Sequence, residues 1–389
     1  MKLFRKIVFW SHLAAGIIAG VVIFIMSATG ALLAFQPQIE EFAERDARVV
    51  SAPSENAARL TGKTLLERVL TGKPNIKPTA LTVQAEPTAA ATVVLGREGT
   101  LYVNPYTGEI TGESSKTVRG FFQVVTDWHR WIAASGEYRA SGKAITGFCN
   151  AVFLMLAISG VYLWFPRKLS WKSVRAVCLM RFDLKGRARD FNWHNAAGFW
   201  SSLVLIVLTA TALVISYQWA NNLLYTLTGS EVPAPQQPQQ PRPANNEDRV
   251  EKPFVVPANL DQLWQKATTR TAAWRSINLR FPANENAPFV FAIDEGTSWN
   301  RFGRSQLTLD AKTGEITKWE PYNEQNWGRK LRSWARFTHT GETGGIAGQT
   351  VAFLACLGGA LLVWTGFSLS LRRFRAWSKR RAGNSTEVV

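Results

Sequence analysis

Four stretches of this chain are apolar enough and long enough to cross the roughly 30 Å hydrocarbon layer of a bilayer, which takes about 20 helical residues each. They are residues 7–35, 143–165, 193–217 and 346–370. Inside such a layer every backbone N–H and C=O must find its partner within the protein, and helices do this within each segment. The expected fold is therefore an α-helical integral membrane protein with four transmembrane helices. The first stretch follows a basic start, as secretory leaders do. It is longer than the apolar region of about 7–15 residues in such leaders, and an internal repeat includes it, so it is expected to stay.

Charge sets the expected orientation. Residues 1–6, 166–192 and 371–389 carry 17 Lys and Arg against 3 acids, most of the chain's net charge of +17. The two long polar stretches, 36–142 and 218–345, are close to neutral. The positive-inside tendency then places the short basic segments and both termini in the cytoplasm, and the long stretches outside. A basic balance also suits nucleic acid. Here the bases hug helix ends, as in Arg372-Arg373-Phe374-Arg375, so membrane lipid is the expected partner and nucleic acid is not. Trp10, Trp164, Trp171, Trp193, Trp219 and Trp364 stand where helices meet the interface. The three cysteines, Cys149, Cys178 and Cys356, avoid the outer stretches, which excludes a disulfide scaffold there.

The chain reads as two copies of one plan. At an offset of 182 residues, His12 superposes on His194, Ala14-Ala15-Gly16 on Ala196-Ala197-Gly198, Thr29 on Thr211 and Gln36 on Gln218. Each copy continues into a short helix, at 61–70 or 259–268. A hairpin follows, around Thr107-Gly108-Glu109-Ile110 or Thr313-Gly314-Glu315-Ile316. A second apolar helix closes each copy, preceded by Gly136-Glu137 or Gly341-Glu342 and carrying a late glycine, Gly160 or Gly366. Equal orientation makes this a parallel repeat about an axis along the membrane normal. The expected division is a cytoplasmic tail 1–6, a span 7–35, an outer module 36–118, an amphipathic segment 119–142, a span 143–165 and a cytoplasmic loop 166–192. The second copy has a span 193–217, a linker 218–258, an outer module 259–321, an amphipathic segment 322–345, a span 346–370 and a cytoplasmic tail 371–389.

All four histidines of the chain lie beside these spans. His12 and His194 open the first and third, while His129 and His339 precede the second and fourth. One pair therefore belongs to each face of the membrane. Two pairs of neutral imidazoles on opposite faces are what two six-coordinate b-type haems require. His12, Gly16 and Gly20 share a helix face, as do His194, Gly198 and Ser202, and small residues leave room for a macrocycle or for close helix packing. No Cys-x-x-Cys-His is present, so any haem is non-covalent. Histidines near membrane ends can also be mere interfacial residues. Nucleotide-binding glycine motifs are absent, which leaves a quinol or a separate cytoplasmic flavoprotein as electron donor. In residues 322–340, Trp327, Leu331, Trp334 and Phe337 form a stripe flanked by Arg329, Lys330, Arg332 and Arg336. This is an interfacial amphipathic helix, or one whose Arg332, Arg336, Trp327 and Trp334 contact haem propionates or an anionic iron complex. Phe121, Phe122, Trp128 and Trp131 are the matching part of the first copy.

The order of these motifs resembles the PepSY-associated transmembrane family. It rests on the two Thr-Gly-Glu-Ile hairpins, the Trp-and-His starts of the first and third helices, and the His-then-Gly-Glu starts of the second and fourth. It spans about residues 4–375. The resemblance implies a bacterial inner-membrane protein with two small α+β periplasmic PepSY modules. It also implies an enzyme similar to dihaem ferric-siderophore reductases of iron uptake. His12 and His194 would be axial iron ligands of the cytoplasmic-side haem b, and His129 and His339 those of the periplasmic-side one. The haems carry the chemistry, with no further catalytic side chain. Some relatives add a flavodoxin-like region that this chain lacks. The alternative is non-catalytic, a PepSY membrane protein that binds or inhibits a periplasmic protease or supports an envelope complex.

Overall fold

The computed structural model describes residues 2–54, 57–165, 170–233, 254–271, 273–282, 284, 287–296 and 302–385. Residues 234–253 of the expected linker lie outside these. The helices in chain order are α1 (Lys2–Leu33), α2 (Gln36–Ala43), α3 (Arg45–Arg48), α4 (Gly62–Gly72), α5 (Lys116–Trp131) and α6 (Arg139–Trp164). They continue with α7 (Trp171–Cys178), α8 (Gly186–Ser216), α9 (Gln218–Leu227), α10 (Leu260–Thr268), α11 (Trp327–His339) and α12 (Gly345–Ser385). The strands are β1 (Ala80–Gln84), β2 (Ala91–Val94), β3 (Thr100–Val103), β4 (Ile110–Glu113), β5 (Ser276–Arg280), β6 (Phe289–Asp294), β7 (Ser305–Leu309) and β8 (Ile316–Glu320). Two compact units result: residues 1–36, 121–224 and 334–389 in one, residues 37–120 and 225–333 in the other.

The first unit is helical. Its four long helices, α1, α6, α8 and α12, are long and apolar enough to cross a membrane. Each begins or ends beyond the apolar stretch that marks it in sequence. α8, for example, starts at Gly186, because hydrogen bonding carries a helix past the residues lipid selects for. α1 packs on α6 and α12, and α8 packs on the same two, so α1 and α8 take opposite corners. Ala19, Ala157, Ala352 and Ala355 are buried between them. Helix association in lipid gains little from hydrophobicity and depends on such close approach. A Cβ on Gly20 would stand 2.7 Å from the Phe367 ring, and one on Gly358 2.8 Å from Ser201. Two buried amides bond across helices, Asn150 Nδ2 to the Thr209 carbonyl (3.0 Å) and Gln349 Nε2 to that of Ala34 (2.9 Å). Ile18, Leu203 and Leu354 point outward and are exposed, as lipid-facing side chains are.

The second unit is built on one sheet. The sequence leads one to expect two small α+β modules; their eight strands join in one sheet in the order β4-β3-β2-β1-β5-β6-β7-β8, every neighbour antiparallel. The seam is β1 on β5, with Leu81 opposite Leu279 and Val83 opposite Ile277. Each strand set alone would leave β1 or β5 as an edge of unpaired backbone groups, and pairing them removes both edges. The core is shared in the same way. Leu65, Leu66 and Val69 of α4 and Leu260, Leu263 and Ala267 of α10 pack into one cluster with Leu81, Val93, Leu279 and Phe291. Complete burial of each Leu or Phe contributes about 1.5–3 kcal/mol.

The two sequence-marked hairpins form as expected. Asn104 Oδ1 accepts from the N–H groups of Tyr106 and Thr107, and Asp310 Oδ1 from those of Lys312 and Thr313. Such side-chain turns leave the next residue left-handed, and Gly108 (φ 76°) and Gly314 (φ 64°) take that conformation without a Cβ penalty.

Candidate functional site

All four histidines belong to the helical unit, and each is held by the same ring nitrogen. At the end of the bundle that carries the basic loops, His12 Nδ1 lies 2.8 Å from Ser159 Oγ, and His194 Nδ1 lies 2.9 Å from Thr365 Oγ1. At the other end, His129 Nδ1 lies 3.0 Å from Thr29 Oγ1, and His339 Nδ1 lies 2.9 Å from the Leu208 carbonyl, with Thr211 Oγ1 at 3.5 Å.

The Leu208 partner fixes one tautomer outright. A carbonyl only accepts, so His339 Nδ1 donates to Leu208. The hydroxyls of Thr29 and Thr365 donate to carbonyls one turn back, Ile25 at 2.6 Å and Leu361 at 2.7 Å, and Ser159 donates to Leu156 at 3.2 Å. A hydroxyl has a single proton, and one that gives it to its own helix accepts from the imidazole. His339 therefore carries its hydrogen on Nδ1, which leaves its Nε2 with the lone pair; the other three rings are in the same state when their hydroxyl partners donate to their own helices. This is the state in which imidazole binds a metal, oriented by a partner on the other nitrogen.

The rings come in two pairs. The His129 and His339 ring centroids are 6.3 Å apart, with planes inclined at 50°. His12 and His194 are near enough to interact electrostatically. Glycine makes room for the rings: a Cβ at Gly160 would touch His12 Cε1 at 3.6 Å, one at Gly366 would touch His194 Cε1 at 3.7 Å, and one at Gly30 would touch His129 Cε1 at 3.4 Å. The layers are far apart. His12 and Thr29 are 17 residues apart on α1, or roughly 25 Å along the axis at about 1.5 Å per residue. Among the described residues no three His, Cys, Asp or Glu side chains gather as a metal cluster.

A family model for the PepSY-associated TM region matches residues 9–373, nearly the whole chain. The chain belongs to that family. With its four apolar helices, it is a multi-pass membrane protein. No curated protein matches the chain.

The family's match covers both histidine pairs, yet the partners of the rings are not legible as a motif. Ser159 and Thr365 each directly precede the late glycine of their span, and that recurrence is the signal that could have found them. Thr29 and Thr211 did align at the repeat offset, with nothing in sequence to say that both approach a ring. The aromatic and arginine residues of 327–336 all lie on α11. Trp334 and Arg336 belong to the helical unit, Trp327 and Arg332 to the sheet unit. Trp327 is 58% exposed and lies under Lys330 Nζ, and Arg332 lies near the Tyr225 hydroxyl. Sequence reasoning also passed over Arg130 and Arg139, which flank Trp131.

Proposed function

We propose that this protein is a dihaem b oxidoreductase of the bacterial inner membrane, passing electrons from the cytoplasmic side to the periplasm to reduce a ferric chelate such as a siderophore and so release iron. Both termini are then cytoplasmic, the two strand sets are paired PepSY modules, and the halves of the chain are parallel repeats. Its carrying observation is the 6.3 Å separation of the His129 and His339 rings. A metal–imidazole bond of about 2 Å on each side, plus about 1 Å from nitrogen to ring centre, calls for centroids about 6 Å apart.

Three further features fit the group. Each ring is held at Nδ1, by Ser159, Thr365, Thr29 or Leu208, which leaves Nε2 as the nitrogen turned to a metal. Gly16, one turn from His12 on α1, has open space where a Cβ would stand. Trp164, one turn from Gly160 on α6, keeps a buried indole N–H without a partner among the described residues, a donor that a carboxylate could occupy.

The bound haems would supply one-electron chemistry at iron. His12 and His194 would hold the one on the basic side, His129 and His339 the other. The protein's share is to orient the rings through Nδ1, by three hydroxyls and the Leu208 carbonyl, and to keep apolar helix between the layers. Electrons come from a quinol or a cytoplasmic flavoprotein. Reduction to Fe(II) weakens hard-oxygen chelation, so the chelator survives the release of iron.

The test is a dithionite-reduced minus air-oxidised spectrum of the detergent-purified protein, with haem counted per polypeptide. A sharp low-spin b-type α-band at two haems per chain supports the reading and makes ferric-chelate reduction the next assay. No haem after expression with ample haem supply overturns it and leaves a non-catalytic binding role.

A further inference from the structure

The corner between α5 and α6, at the end of the bundle that holds His129 and His339, concentrates positive charge. Arg130 follows His129 in sequence, and Arg336 precedes His339 by one turn. The guanidinium of Arg130 lies 4.5 Å from the centre of the Trp131 ring, and that of Arg139 lies 3.7 Å from the same ring. Two cations thus share one indole. Arg336 is close enough that it and Arg139 both act repulsively on Arg130. Among the described residues none of the three forms an ion pair; Asp127 reaches Arg130 only through the electrostatic field.

The backbone there is also strained. Ile132 (φ 52°) and Ala133 (φ 56°) are the only non-glycine residues with positive φ among those described. A β-branched residue in that region is an outlier, and such strain costs on the order of 1–3 kcal/mol and collects at functional sites. The turn persists because the start of α6 presses on it. Thr146 Oγ1 donates to the Arg130 carbonyl at 2.8 Å, and a Cβ on Gly142 would stand 2.2 Å from the Trp131 carbonyl. The strain therefore holds Arg130 and Arg139 against each other where solvated side chains would part.

We propose that Arg130, Arg139 and Arg336 form an anion site beside the His129–His339 pair, and that it takes carboxylates. Planar guanidiniums match carboxylates in two-point contact, and an arginine stacked on an aromatic ring keeps its edge donors free. The carboxylates have two possible sources, the propionates of a haem held by His129 and His339 or a free carboxylate ligand arriving from solution. The first source rests on the proposed function; the second does not.

The experiment compares detergent-purified wild type with Arg130→Gln, Arg139→Gln and Arg336→Gln, and with Arg130→Lys as the charge-preserving control. Haem content and the midpoint potentials of both haems are measured, and citrate is titrated calorimetrically at fixed ionic strength. For propionates, the Gln variants lose haem from the His129–His339 site or move its potential negative, the His12–His194 site is unaltered, and citrate does not bind. For a free ligand, citrate binds the wild type and each Gln variant weakens it at least about tenfold, with the haems unchanged. Arg130→Lys lies between wild type and Gln in either case. Equal haem content, potentials and citrate isotherms across all proteins overturn the site. A wild type without haem disproves the dihaem reading alone, and the citrate titration still decides this one.

Discussion

His129 and His339 come from two different short helices, α5 and α11, yet their rings meet with centroids 6.3 Å apart. Neither helix is a membrane span. Each ring instead reaches into the bundle and is held by a span, His129 by Thr29 of α1 and His339 by Leu208 of α8. The pair thus ties both helices to opposite corners of the bundle.

If His129 and His339 hold a haem between them, removing either ring would take away one of its two imidazole donors. His129→Ala and His339→Ala are expected to retain one haem of two while remaining membrane-inserted. Haem per polypeptide checks this, and two haems in both variants would contradict the pairing.

The hydroxyl partners set ring orientation and ligand basicity. Ser159→Ala and Thr365→Val should weaken haem retention at the basic end about 10–100-fold, the usual effect of losing such a partner. Competition for haem by apomyoglobin measures it, and the His129–His339 site should be unaffected in both.

Glycines beside the rings give a graded test. At 3.6 Å from His12 Cε1, a Cβ on Gly160 makes an ordinary contact, so Gly160→Ala should leave the spectrum unchanged. Gly160→Leu needs the volume of the ring itself and should cost the haem at that end. An unchanged spectrum in the leucine variant would mean that His12 does not ligate.

In the sheet unit, the side chain of Glu44 is fully buried and pairs with Arg119 and Arg48. Burial alone would raise its pKa. Hydrogen bonds from Arg119, the Tyr102 hydroxyl and Arg48, and from the Ser115 N–H, outweigh that and lower it to about 2. A lowered folded-state pKa stabilises above the ordinary carboxyl value, and the gain is lost as pH falls toward about 2. Melting temperature should fall across this acid range in wild type. Glu44→Gln should melt lower at neutral pH, since both arginines lose their buried partner, and the gap should close in acid. A constant gap would remove Glu44 as the titrating group.

The seam between β1 and β5 makes one core of two. Leu279 is wholly buried opposite Leu81, so Leu279→Ala should cost about 2–5 kcal/mol. If the strand sets were independent, proteolysis of this variant would spare residues 80–113; with a shared core, both sets become labile together.

The sequence by itself determined the four spans, the two hairpins with their left-handed glycines, the placement of one histidine beside each span, and the family. These are local properties: apolar length, turn chemistry and position along the chain. Only the tertiary structure decided which atoms meet. The hydroxyls of Ser159 and Thr365 are 147 and 171 residues from the rings they hold, and helix packing alone brings them there. The joined sheet was hidden for the same reason. Alternating burial specifies which face of a strand is apolar, but not which strand its edge pairs with. The charge cluster at Trp131 depends on a strained turn that no residue preference announces, because Ile132 and Ala133 adopt it under the pressure of the α6 start.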